Sequence, residues 1–178
     1  MNYSERAALV AELVDRLHAH GSWAGETHLQ KTLFFLQDGL NVPLEYDFIL
    51  YKHGPFSFAF RDELAQMRVD GLLDLKANPI PYGPSFVSTE TSKAWRTIMT
   101  AVVEEFEPQV EYVADKLGPK GVVALEKLAT SLYFTIQSPN APTESRAEAI
   151  HEVKPHISMF EAVRAVNEVD ALKAQAPG

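Results

Sequence analysis

The apolar positions of this chain change period along its length, and the changes mark out its elements. Val10, Leu13, Val14 and Leu17 fall at i, i+3, i+4 and i+7, which lines one face of a helix over residues 4–20. Ser4 is the expected N-cap and Gly21 the expected stop, since glycine accepts the left-handed conformation after a helix. Leu29, Leu33, Leu36 and Leu40, widened by Phe34 and Phe35, predict a second helix over residues 26–38. The run from Asp47 to Tyr51 is short and rich in β-formers, so it reads as a strand. Lys52-His53-Gly54-Pro55 reads as a turn. Ser57 is placed to cap a third helix ending at Asp70, with Phe60, Leu64 and Met67 inward and Gly71 as its stop. Leu72–Leu75 and Phe86–Ser88 read as two strands. Between them, Asn78 to Pro84 holds three prolines and a glycine, a composition that makes a loop.

Beyond Ser88 the pattern is helical throughout. Thr89 or Thr91 is expected to cap a long helix to Leu117, carrying Trp95, Ile98, Met99, Val102, Phe106, Val110 and Val113 inward. Pro108 lies inside it and removes one amide, so a kink is expected there. Gly118-Pro119 should end that helix and open the next, over residues 120–137, with proline in the first turn. Thr143 is expected to cap a helix to about Val153. Ser158 and Glu161 form a capping box for a last helix to about Lys173. The fold class is therefore mostly α (α+β): a winged-helix-like N-terminal domain with a small β-hairpin over residues 1–89, and a C-terminal helical bundle over residues 90–178 packed on it.

Composition narrows the function. The 178 residues include no cysteine, which excludes a disulfide framework, a thiol nucleophile and a cysteine metal site. The formal net charge is -8, a balance that repels phosphate. Residues 1–89 hold 7 Lys/Arg against 11 Asp/Glu and residues 90–178 hold 9 against 13, so no basic arm stands out. No signal peptide or apolar stretch of membrane-spanning length is visible, and a cytoplasmic location is expected, with no membrane partner.

The stretch Thr27-His28-Leu29-Gln30-Lys31-Thr32-Leu33-Phe34-Phe35-Leu36 resembles a Leu-Gln-Lys helix of the YwgA-like family of winged-helix-like proteins. Phe48 to Ser57 is similar to that family's Tyr-x-x-Gly-Pro-Tyr-Ser turn, with Phe56 at its second tyrosine. Asp70-Gly71-Leu72-Leu73 and Lys154-Pro155-His156-Ile157-Ser158 resemble its exit into a strand and its late Lys-Pro-His break. The likeness runs in register from about residue 7 to residue 173. The family is distantly similar to the Panacea, or SocA-like, antitoxin domain. The resemblance implies a regulatory or antitoxin-like prokaryotic protein, associated with a defence or mobile-element locus. It implies no catalytic residues.

The candidate chemistry sits on the turn and the third helix. Gly54 and Pro55 shape the turn, and Ser57 caps the helix; that structural role is the plain reading. The functional reading is that Tyr51, Lys52 and His53 are presented beside the third helix, where an imidazole can donate to a phosphate or a carboxylate. His53 and Ser57 alone do not make a catalytic triad. Arg61 and Arg68 would face a partner or nucleic acid, but Asp62, Glu63 and Asp70 share their helix and oppose groove binding. The other histidines, His18, His20, His28, His151 and His156, lack metal-ligand spacing and read as surface or capping groups. Glu104, Glu105, Glu107 and Glu111 read as a solvated face or an acidic docking patch, and Trp23 and Trp95 as core or interface residues. No Walker or Rossmann pattern is present, so no cofactor is expected. The expected function is a non-catalytic protein-interaction module whose partner is a toxin or a complex subunit. The alternatives are a DNA-binding winged-helix regulator, in which a homodimer gathers Lys52, Arg61 and Arg68 from two chains, and an enzyme of unrecognised type.

Overall fold

The computed structural model describes residues 1–177. Its mostly helical architecture with small hairpins agrees with the pattern of the sequence. Helices α1 (Tyr3–Ala19) and α2 (Glu26–Phe34) are followed by a π-helical turn (Phe35–Gly39). Then come strands β1 (Ile49–Tyr51) and β2 (Gly54–Phe56), helix α3 (Phe58–Val69), and strands β3 (Leu73–Lys76) and β4 (Ser85–Ser88). Helices α4 (Glu90–Ile98), α5 (Thr100–Leu117), α6 (Val122–Gln137), α7 (Thr143–Val153) and α8 (Met159–Gln175) complete the chain. The order α1–α2–hairpin–α3–hairpin is compatible with a winged-helix-like domain, with β3 and β4 as the wing. Their antiparallel register runs from Leu73 opposite Ser88 to Lys76 opposite Ser85.

One core runs through both halves of the chain. Leu9, Leu13 and Leu17 of α1, Leu29 and Leu33 of α2, and Phe60 and Leu64 of α3 bury against Val110, Val113 and Leu117 of α5 and Leu125 and Leu132 of α6. A satellite core joins α7 and α8 through Ala147, Ile150, Ile157, Ala162 and Val166. Arg146 of α7 adds a two-pronged pair to Asp170 of α8 at 2.8 and 2.7 Å.

Several local expectations are corrected. The N-cap of α1 is Asn2, not Ser4; Asn2 and Glu5 exchange side-chain and backbone hydrogen bonds as a capping box. The long helix is divided at Met99 into α4 and α5. Beside the break, Thr97 and Thr100 donate their hydroxyls to the carbonyls of Lys93 and Thr97. Pro108 is accommodated inside α5. Helix α6 begins at Val122 with Gly121 at its N-cap, so Pro119 lies ahead of it instead of in its first turn. Thr143 is the first residue of α7 and Pro142 holds the N-cap position. The caps at Ser57 and Ser158 form as the sequence predicts.

The acidic set on α5 is partly consumed internally. Arg16 of α1 donates to Glu107 at 2.7 Å and to Glu111 at 3.0 Å, and His20 pairs with Glu111 at 2.8 Å. These bonds stitch α1 to α5, so Glu107 and Glu111 do not form an open acidic patch. His28 is buried rather than a surface group, bonded to Ser22 and to the Leu117 carbonyl. Burial of its ring holds its pKa below the usual histidine value. No helix among the described residues is long and apolar enough to cross a membrane.

Candidate functional site

The turn of the sequence reading is the tip of a hairpin. Residues Gly54 to Phe56 are paired as a strand with Ile49 to Tyr51, with Ile49 opposite Phe56 and Tyr51 opposite Gly54. Pro55 concealed that strand from sequence reasoning. In a two-stranded ribbon both strands are edges, where a residue without an amide proton is tolerated. Gly54 carries the positive φ, +85°, that lets Lys52 and His53 form the loop. A Cβ at Gly54 would lie 3.0 Å from Thr130 Oγ1 on α6, so the close approach also requires glycine.

Three stretches far apart in sequence converge on this hairpin. Gln30 of α2 accepts from the Ser57 amide and donates to the Ser57 carbonyl, both at 2.9 Å. Lys31, 2% exposed, donates from Nζ to the Pro55 carbonyl at 2.7 Å. Lys154, 7% exposed, donates to the Tyr51 carbonyl at 2.8 Å and also to that of Lys52. Two buried ammonium groups thus grip both strands by their backbone oxygens. Burial pushes the Lys31 pKa down to about 8; the neighbouring Lys154 charge adds to this and Glu126 of α6 opposes it. Glu126 faces the same place, with His53 Nδ1 at 3.5 Å and His156 Nε2 at 3.2 Å. Sequence reasoning missed Gln30, Lys31, Glu126 and Lys154 as positioning residues. The available signal was Gln30 and Lys31 standing between the apolar positions Leu29 and Leu33.

The clamp turns the hairpin's other surface outward. Tyr51 is 52% exposed and Phe58, at the start of α3, is 41% exposed. With Phe56 they form a ring cluster: the centroids lie 5.8 Å apart for Tyr51–Phe56, 5.6 Å for Tyr51–Phe58 and 5.1 Å for Phe56–Phe58. The Arg61 guanidinium lies 5.1 Å over the Phe58 ring. No protein-family model and no curated protein matches this chain.

Of the predicted residues, Tyr51 and Arg61 are therefore joined through Phe58, and Lys52 and His53 flank them at the exposed tip. Arg68 lies two helical turns beyond Arg61 and lines a cavity with it, apart from the ring cluster. Ser57 is fully buried, and its hydroxyl accepts the Phe60 amide at 3.2 Å, so it forms no pair with His53. The acidic residues of α3 are distributed differently from the expectation that they offset its arginines. Glu63 receives Arg6 at 2.6 Å and the Tyr46 hydroxyl. Asp70 receives Gln66 at 2.8 Å and the Tyr3 hydroxyl. Only Asp62 stays beside Arg61, at 3.7 Å and largely exposed.

Proposed function

We propose that this protein is a non-catalytic regulatory module that binds a protein partner through the outer face of the β1–β2 hairpin and the head of α3. The resemblance to YwgA-like and antitoxin-domain proteins makes the partner a toxin or a subunit of a defence complex. The observation that carries the reading is the exposed Tyr51–Phe56–Phe58 cluster with Arg61 stacked on it. Tyrosine, phenylalanine and arginine are enriched in protein interfaces, where a few such anchors carry most of the binding energy. The lysine clamp behind the hairpin supports it further, because a face already fixed loses less freedom on binding.

The test begins with crosslinking in native cells, identification of the captured protein, and titration of the purified pair. Tyr51→Ala combined with Phe58→Ala should weaken that pair by at least about 30-fold, the loss expected of a hot spot. Unchanged affinity in a correctly folded variant refutes this face as the binding site.

A second reading, a DNA-binding regulator, is favoured by one observation. With Glu63 and Asp70 engaged elsewhere, Arg61 and Arg68 stand on the side of α3 that faces the wing. It predicts duplex binding that falls steeply as salt rises. A mobility shift at two salt concentrations checks it, and absent or salt-insensitive binding rejects it.

A further inference from the structure

Between α3, the start of α2 and the wing lies a cavity of about 500 Å³, a volume in the range that holds small molecules. It is separate from the ring cluster. Its floor is apolar, built by Leu64 of α3, Leu75 of β3 and Phe86 of β4. One wall is aromatic: Trp23 and Tyr82 meet edge to face, with centroids 4.5 Å apart and planes at 79°. Trp23 is 48% exposed, so its indole is held at the opening of the cavity rather than spent in the core. An indole and a phenol so arranged offer a flat ligand both a face and an edge.

The charges that line the cavity are Arg61, Arg68 and Glu26, which sum to +1 on a chain whose net charge is -8. The two arginines are not equivalent. Arg61 is engaged with the Phe58 ring and with Asp62. Arg68 has no ion-pair partner among the described residues. With the Arg61 guanidinium held on the Phe58 ring, Arg68 is the lining cation left to take a carboxylate. A monoanion on Arg68 balances the lining's single net positive charge, while a dianion such as a phosphate monoester leaves one negative charge in excess beside Glu26.

We propose that this cavity binds a small planar aromatic carboxylate, its ring between the Trp23–Tyr82 wall and the apolar floor and its carboxylate on Arg68. Arginine suits the role because its planar fork matches a carboxylate with two parallel hydrogen bonds.

The probe is a fluorinated naphthoate titrated into the full chain and followed by fluorine NMR, with the neutral fluorinated naphthamide and adenosine monophosphate as comparisons. The expected result is saturable one-to-one binding with a Kd below about 1 mM, and at least about tenfold weaker binding of the amide. Arg68→Gln and Trp23→Ala, both at exposed positions and checked for fold by circular dichroism, should each weaken the naphthoate at least about tenfold, and Arg61→Gln, which removes a lining charge but no contact to the carboxylate, should weaken it several-fold less than Arg68→Gln. Equal binding of the amide, indifference to Arg68→Gln, tighter binding of adenosine monophosphate, or no saturation by about 5 mM overturns the assignment. Because Tyr51 and Phe58 lie outside the cavity lining and Trp23 and Arg68 lie outside the ring cluster, the failure of either site leaves the other measurable.

Discussion

Lys31→Met is the substitution that tests the clamp. It keeps the length of the side chain and removes the charge. The folded chain holds the Lys31 ammonium with 2% exposure and releases its proton near pH 8, against an ordinary value of 10.5. That difference corresponds to about 3 kcal/mol of destabilisation when the group is fully protonated in both states. The sign follows from proton counting. Between pH 8 and 10.5 the unfolded chain binds more protons than the folded one at this site, so stability rises with pH through that window. Below pH 8 the whole cost is present; above 10.5 it is gone. From pH 7 to pH 9 the wild-type protein should gain about 1 kcal/mol from this residue alone, and Lys31→Met should gain none. Tyr3 and Tyr46 have pKa values raised above 10 by burial and by their carboxylate partners, and they act in the opposite direction in stronger alkali. The comparison therefore stops at about pH 9. Urea unfolding followed by circular dichroism, at several pH values for both proteins, reads the difference directly. The absolute stability of the variant is less informative, because losing the bond to Pro55 strands a buried carbonyl at a cost of about 1–3 kcal/mol, which offsets the relief. Parallel profiles for the two proteins would refute the claim that a buried, protonated Lys31 supports the hairpin.

Gly54→Ala should lose about 1–3 kcal/mol, since alanine resists a φ of +85° and its Cβ meets Thr130; thermal unfolding checks this. Gly118→Ala should lose about as much by a different route. Its Cβ would fall 2.9 Å from that of His20 and 2.4 Å from the Ala114 carbonyl oxygen, so α1 and α5 must part, which chemical denaturation reads. Burial lowers the His28 pKa, so as the pH drops through its ordinary value of 6.5 the unfolded chain binds more of a proton there than the folded chain, and stability should fall. His28→Gln should flatten this acid limb in unfolding curves taken between pH 7 and about pH 5.

The parts of the fold legible in the sequence were those governed by period and by local bonding. The apolar stripes of α1 and α2 and the caps at Ser57 and Ser158 depend on residues within one or two turns of each other. The parts that were not legible depend on distant partners. Pro55 reads as a turn residue until its strand is seen as an edge. The break at Met99 leaves no mark in the sequence, because the apolar spacing continues across residues 95–117. The acids of α3 looked like neighbours of its arginines, whereas Arg6, Tyr46, Tyr3 and Gln66 draw two of them away. At the candidate site the tip residues were found from their turn chemistry. The clamp was not, because Lys31 and Lys154 are brought together only by folding.

The use of ammonium groups to hold the hairpin bears on what the hairpin does. A two-stranded ribbon is marginal by itself and needs packing to persist. Packing by apolar side chains on its inner face would supply that without the cost of burying charge. Here the support instead comes as hydrogen bonds to the carbonyls of Tyr51, Lys52 and Pro55, from Lys154 on one strand and Lys31 on the other. Such bonds fix direction as well as position, and Gln30 extends them to the Ser57 amide at the head of α3. The hairpin and α3 are thereby registered to each other, and Tyr51, Phe56 and Phe58 are presented as one surface although they come from two strands and a helix. Stability alone does not require that registration. The proposed partner, which would meet three rings at once, does, and this is the physical reason for placing the proposed binding face where the clamp is.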